Sequence, residues 1–156
     1  MEPKDLTRLF EINAYVVKEN TKELTHEDSL ILPHPGGNCL NWVMGHIVAS
    51  RNLILNLVGK QPIWSEEETK PYTRGSEPLA KGDDARQFDS ILADFAKSQE
   101  QIMSALSNLT SDELAKAADE KETVGEKLSF LHFHETYHLG QIGLLRRLAG
   151  KEGVIK

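Results

Sequence analysis

The chain has 156 residues, of which 39% are hydrophobic and 27% charged, and its formal net charge is −6. A chain of this length can bury a continuous core, so we expect a single domain spanning residues 1–156. Its basic residues are scattered, which argues against a nucleic-acid partner, and no apolar run approaches the roughly 20 residues of a membrane span. The N-terminus lacks the apolar segment of a secretory signal, so we expect a cytoplasmic protein.

The first half of the chain contains two stretches with the three- and four-residue apolar spacing of an amphipathic helix. The first predicted helix covers residues 4–24. Residues 25–37 are rich in proline and glycine and predict an irregular connector, in which we expect His26 and His34 to be exposed. Asn38 is a suitable N-cap for a second helix that runs to Val58. The lone cysteine, Cys39, is expected to be buried at the start of this helix.

The second half of the chain begins with a stretch that has no helical period. Residues 59–82 predict a long crossover, with Trp64 and Tyr72 packing over one end of the fold and shaping a pocket. Asp83 or Asp84 is expected to cap a third helix that ends near Leu106. A short helical turn over residues 111–118 and a last helix over residues 124–149 complete the chain.

This pattern of elements predicts the fold class. Four long amphipathic helices without a convincing strand indicate an all-α protein, and we expect a four-helix bundle. The long crossover is expected to join helices two and three.

Two histidines on the last predicted helix have the spacing of metal ligands. His134 and His138 are four residues apart, which places both imidazoles on one face of the helix. His46 lies beside the apolar stripe of the second helix and is the candidate third ligand. With one cysteine in the chain, histidines and carboxylates are the available ligands. The sequence therefore favours a metal site of His46, His134 and His138, while hydrogen-bonded core histidines remain the alternative.

The five residues His134 to His138 also match the H-E-x-x-H pattern of zinc proteases, in which Glu135 would be the general base. Such a protease needs a third ligand downstream and usually a strand that aligns the peptide. No histidine follows His138 and no strand is evident upstream, so we disfavour this interpretation. Glu135 points about 100° away from His134 around the helix, and we expect it to meet a neighbouring helix.

Three further residues have open roles. Gly45 weakens a helix by roughly 1 kcal/mol, which suggests close approach by a neighbouring segment or a ligand. Asn13 is either a hydrogen-bonded core residue or a group near the site. Gln141 either orients a metal ligand or makes another polar contact.

The paired motifs resemble those of the DinB superfamily of metal-binding four-helix bundles. Its members have N-W-x-x-G-H on the second helix, matched here by Asn41-Trp42 with Gly45-His46, and H-x-x-x-H-x-G-Q on the last, matched by residues 134–141. Tyr137 departs from the many members that carry another histidine there. The resemblance implies that His46, His134 and His138 bind a divalent metal, commonly zinc or nickel, and that the chain forms a homodimer.

The resemblance leaves the activity open. Some members are transferases or isomerases that use a small bacterial thiol such as bacillithiol or mycothiol, and others have no known activity. We expect a transferase that acts on a small electrophile through a metal-bound thiolate, with no membrane partner. A hydrolase that uses bound hydroxide and a non-catalytic metal-binding or dimerisation module are the alternatives.

Overall fold

The structure is a computed structural model that describes residues 2–77, 79 and 85–155. Within these ranges it has seven α-helices, one short 3-10 helix and no strand, so the all-α prediction is confirmed. One isolated antiparallel bridge joins Ala117 to Thr123. None of the described helices is both long and apolar enough to cross a membrane.

The helices, in chain order, are four long ones with three short ones between them. They are α1 Pro3–Thr21, α2 His26–Ser29, α3 Leu40–Leu57, α4 Glu66–Thr69, α5 Phe88–Leu106, α6 Ser111–Leu114 and α7 Val124–Leu148, and the 3-10 helix Lys70–Tyr72 follows α4.

The four long helices are arranged in a ring. Helix α1 packs against α5 and α7, and α3 packs against the same two helices. Helices α3 and α7, which contain the three predicted site histidines, are therefore direct neighbours. The core between the four helices consists of two apolar clusters, one around Phe88 and Met44 and the other around Phe10 and Leu128.

Several element ends differ from the prediction because local hydrogen bonds decide them. Helix α1 ends at Thr21, and Glu23 then adopts a positive φ of 61°, which stops the helix before Leu24. Within the predicted irregular connector, the Thr25 side chain caps the short helix α2 in a capping box. Ser65 does the same for α4 within the predicted crossover.

The other long helices differ from the prediction at their starts and ends. The N-cap of α3 is Cys39 rather than Asn38, and Cys39 makes no side-chain capping bond. Helix α5 begins at Phe88 after Gln87, while the predicted caps Asp83 and Asp84 lie outside the described residues. The turn predicted over residues 111–118 is shorter, and α7 ends one residue before the predicted Ala149.

Candidate metal centre

Helices α3 and α7 bring together the side chains of His46, His134 and His138, which we call the histidine triad. One ring nitrogen from each lies within 4.8 Å of the others. The Nε2 atom of His134 is 3.2 Å from Nε2 of His46 and 3.2 Å from Nε2 of His138. His138 is buried and the other two are half-buried, so the triad lies at the edge of the helix pair. Among the described residues, this is the one group of histidine, cysteine and carboxylate side chains that could hold a metal ion.

Hydrogen bonds at the opposite ring nitrogens fix the orientation of two triad members. The Nδ1–H of His46 donates to the carbonyl oxygen of Tyr72 at 2.7 Å, and the Nδ1–H of His138 donates to Oε1 of Gln141 at 2.7 Å. Because a carbonyl or amide oxygen can only accept a hydrogen bond, each of these two neutral imidazoles has its proton on Nδ1. The Nε2 lone pairs of His46 and His138 therefore both point toward Nε2 of His134. Of its two predicted roles, Gln141 has the first, because it orients a triad histidine.

A cation satisfies the three Nε2 atoms better than hydrogen bonds among them do. A single proton on Nε2 of His134 can satisfy only one of the two facing lone pairs, whereas a cation accepts all three. Nitrogen ligands about 2.0–2.1 Å from one metal ion are separated by roughly 3.3 Å, close to the 3.2 Å observed for the two pairs that include His134. The residues present therefore fit a divalent metal ion.

The protonation states of the triad also suit metal binding. Burial lowers the pKa of His138 to about 4, and burial is the main cause of a lowered pKa at His46. The pKa of His134 is lowered first by burial and then by the neighbouring His46. All three imidazoles are therefore neutral at pH 7, the state in which histidine binds a metal.

Gly45 allows the segment that contains Tyr72 to reach the triad. A Cβ atom at Gly45 would lie 2.7 Å from Cγ of Tyr72 and closer still to two further ring carbons. The Tyr72 ring thus packs directly on the helix backbone, one residue before His46, and its carbonyl meets the His46 ring. The predicted close approach at Gly45 is confirmed, and the approaching residue is Tyr72.

The two other named positions of the first motif, Asn41 and Trp42, also contact the segment that follows α4. Asn41 Oδ1 accepts a hydrogen bond from the Tyr72 hydroxyl at 3.2 Å, and its Nδ2 donates to the Arg86 carbonyl at 2.9 Å. The Trp42 ring stacks on His46, with centroids 4.7 Å apart and planes 9° apart, while its Nε1–H donates to Ser76. The residues from Asn41 to His46 thus form the surface on which the segment with Tyr72 and Ser76 packs. That segment in turn orients His46.

Glu135 meets a neighbouring helix, as its position on α7 predicts. Its carboxylate accepts hydrogen bonds from Nε and Nη2 of Arg51 on α3, at 2.8 and 2.9 Å. Both side chains are buried, with Arg51 0% and Glu135 3% exposed. A carboxylate committed in this way is not placed to serve as the general base of a zinc protease.

A cavity lies beside the triad between α3 and residues 62–74. Its volume is about 490 Å³, and its lining includes His46, Ser50, Trp64, Tyr72 and Arg74. Trp64 and Tyr72 are buried with their ring centroids 5.3 Å apart. They shape this pocket, as the crossover sequence predicts.

The remaining candidates lie away from the triad. Asn13 is a buried core residue that exchanges hydrogen bonds of 3.2 Å with Thr136, so the first of its two predicted roles is correct. His34 is exposed, as predicted, whereas His26 is half-buried and its Nδ1 accepts a hydrogen bond from the Phe88 backbone N–H. Cys39 is buried, as expected, and burial raises the pKa of its thiol.

Sequence reasoning missed two partners of the site. Tyr72 orients His46 through a backbone carbonyl, which every residue type has, so no residue pattern could indicate it. Arg51 is the single arginine of α3, a helix that has no lysine or carboxylate, and that was the available signal for a buried ion pair.

The class of protein is now defined: it is an all-α protein in which two adjacent long helices place three neutral histidines around one point. The chain belongs to the DinB superfamily, whose sequence model matches residues 10–142. The resemblance of its motifs to that family is thereby confirmed.

The comparison with solved structures supports the same fold. A crystal structure of a conserved protein from Enterococcus faecalis is similar with a TM-score of 0.73 and 18% sequence identity, over 95% of this chain and 97% of that one. At this identity the likeness shows a shared fold. A search of curated proteins finds no match to the sequence.

Proposed function

We propose that the histidine triad binds one divalent metal ion, zinc or nickel, and that the chain is a metal-dependent enzyme. The observation that carries this proposal is the convergence of three imidazoles, in which Nε2 of His134 is 3.2 Å from Nε2 of both His46 and His138 and all three nitrogens lie within 4.8 Å of one another. We further propose that the chain is a single domain over residues 1–156, in which the four long helices act as one bundle and residues 59–82 as its crossover.

The proposed reaction is the transfer of a small thiol to an electrophile in the cytoplasm. When bound, the metal would supply Lewis acidity that lowers the pKa of a coordinated thiol. Three protein ligands leave a coordination position open, and the cavity of about 490 Å³ beside His46 offers space for a small molecule. Tyr72 and Gln141 hold two of the rings in place, and Trp64 and Tyr72 form a buried, aromatic part of the cavity wall.

Metal content tests the site. Purified wild-type protein should contain about one zinc or nickel per chain, and His46→Ala and His138→Ala should each abolish it while keeping the helical circular dichroism signal. His34→Ala is the matched control, because His34 is an exposed loop residue, and it should keep the metal. Metal-free wild-type protein, even after incubation with zinc and nickel, would overturn the proposal.

The use of a thiol is tested separately on cobalt-substituted protein. Titration with cysteine should produce a sulfur-to-cobalt charge-transfer absorption band, and this band should be absent from cobalt-treated His138→Ala. Metal binding without such a band, but with metal-dependent ester hydrolysis, would favour the hydrolase. Metal binding without either would favour a non-catalytic module.

We also propose that the chain is a homodimer that pairs through α7. Its outer face carries five large apolar residues that are 46–69% exposed. They are spaced three, four or seven residues apart and so form one stripe along the helix. A contiguous exposed apolar stripe of this length is typical of an interface. The members of this stripe are Phe130, Phe133, Tyr137, Leu144 and Leu148.

Sedimentation equilibrium tests the dimer. Wild-type protein should sediment as a dimer and Leu144→Glu as a monomer, because the charge would have to be buried in the interface. Leu32→Glu changes an exposed leucine outside the stripe and should remain dimeric. A monomeric wild type, or a dimeric Leu144→Glu variant, would rule out this interface.

A further inference from the structure

The three triad rings are not held equally. His46 and His138 each donate an Nδ1–H to an oxygen, but Nδ1 of His134 is buried and has no hydrogen-bond partner among the described residues. Within the described part of the chain, the hydrogen-bond contacts of the His134 ring are those with the other two rings. The position of the His134 ring must therefore be set by its own helix backbone and by the contacts that fix α7 against α3 near His134.

The buried pair Arg51–Glu135 makes this connection. Glu135 is the residue directly after His134, and its carboxylate is bound at both oxygens by Arg51 of α3. A two-bond pair between a planar guanidinium and a carboxylate fixes both distance and direction, more strictly than packing alone. The pair thus sets how far α7 can slide or rotate against α3 beside His134.

Arg51 is itself held on a third helix. Its guanidinium lies 3.7 Å from the centre of the Phe95 ring on α5, and its Nη1 donates to Ser98 Oγ at 3.0 Å and to the Phe95 carbonyl at 3.4 Å. These partners, Phe95, Ser98 and Glu135, are all buried. Contacts with both α3 and α5 therefore fix the position of Glu135. The backbone of the adjacent His134 is fixed with it.

We infer that Arg51 and Glu135 are positioning residues for the metal site, which place His134 against His46 and His138. This inference rests on the proposed metal function of the triad. The pair acts through the helix backbone and does not touch the triad rings. Its loss should leave the fold intact but separate the ring nitrogens.

The test replaces the pair with apolar residues of similar volume, Arg51→Met with Glu135→Leu, since such replacements commonly preserve folding. The matched control is Asn13→Leu with Thr136→Val, which removes a part-buried polar contact between α7 and α1 from the residue after Glu135. Zinc affinity is measured by chelator competition, and the ligand field by the visible absorption of the cobalt-substituted protein. The expected loss of zinc affinity is about 10- to 100-fold for the first double variant, with shifted cobalt bands, and less than about threefold for the control.

A second measurement needs no metal. In metal-free wild-type protein the rings of His46 and His134 should give nuclear Overhauser contacts, because their Nε2 atoms are 3.2 Å apart. These contacts should weaken in Arg51→Met/Glu135→Leu and persist in the control. If the wild type takes up no metal, the proposed function fails, and the ring contacts alone decide the positioning role.

Unchanged zinc affinity, cobalt bands and ring contacts in the first double variant would overturn the inference, as would equal losses in the control. Should Arg51→Met/Glu135→Leu not fold, Glu135→Gln preserves the side-chain volume and weakens the pair. It should then show a smaller loss of zinc affinity and weaker ring contacts than the wild type, and wild-type values for both would overturn the inference.

Discussion

Truncation of Glu135 to alanine should lower the free energy of unfolding by about 3–5 kcal/mol, because it leaves a buried guanidinium without its counter-ion. Arg51 is 0% exposed, so it cannot turn toward water without disrupting the packing of three helices. Its remaining acceptors, the Phe95 carbonyl and Ser98 Oγ, are neutral and cannot compensate the charge. Denaturant unfolding followed by circular dichroism measures the change.

The matched control for this prediction is Glu67→Ala. Glu67 pairs with Lys70 at 2.7 Å, but both side chains are exposed, so its loss should change the unfolding free energy by at most about 1 kcal/mol. The double variant Arg51→Met/Glu135→Leu should recover most of the stability lost in Glu135→Ala. Equal losses of unfolding free energy in Glu135→Ala and Glu67→Ala would show that the buried pair stabilises the fold no more than an exposed pair does.

Substitution of Gly45 by alanine should weaken both the fold and the metal site. The new methyl group would overlap the ring of Tyr72, which is buried and packs directly on the helix backbone at Gly45. Overpacking of this kind costs about 1–3 kcal/mol. Displacement of Tyr72 would also remove the carbonyl that orients His46, and the loss of such an orienting group lowers metal affinity by about 10- to 100-fold.

Gly140→Ala provides the comparison. Gly140 also lies within a long helix, but a Cβ atom there would have no neighbour within 4 Å. This substitution should be neutral or stabilise the helix by up to about 1 kcal/mol, with unchanged zinc affinity. Thermal unfolding and chelator competition on both variants measure the two effects. A Gly45→Ala variant that behaves like Gly140→Ala would show that Tyr72 does not constrain His46.

The two largest predicted effects concern residues whose partners are far away in the chain. Gly45 could be recognised as unusual from its place inside an apolar helix, but its partner Tyr72 lies in a stretch with no period. In the same way, the helical angle of Glu135 indicated a neighbouring helix without naming Arg51. Local geometry predicts the direction of a side chain, whereas the identity of its partner depends on how the helices are arranged.

The all-α class, the four long helices and the choice of three histidines follow from the sequence by itself, because apolar periodicity and four-residue spacing are properties of a single helix. Short helices and helix ends were predicted less well. Capping boxes at Thr25 and Ser65 begin short helices in stretches where proline and glycine indicated none. Only the tertiary structure decided that His46 meets His134 at 3.2 Å, that Tyr72 and Gln141 fix two ring tautomers, and that Arg51 binds Glu135. Apart from the bond between Gln141 and His138 within α7, these are contacts between separate segments, and their geometry arises when the helices pack together.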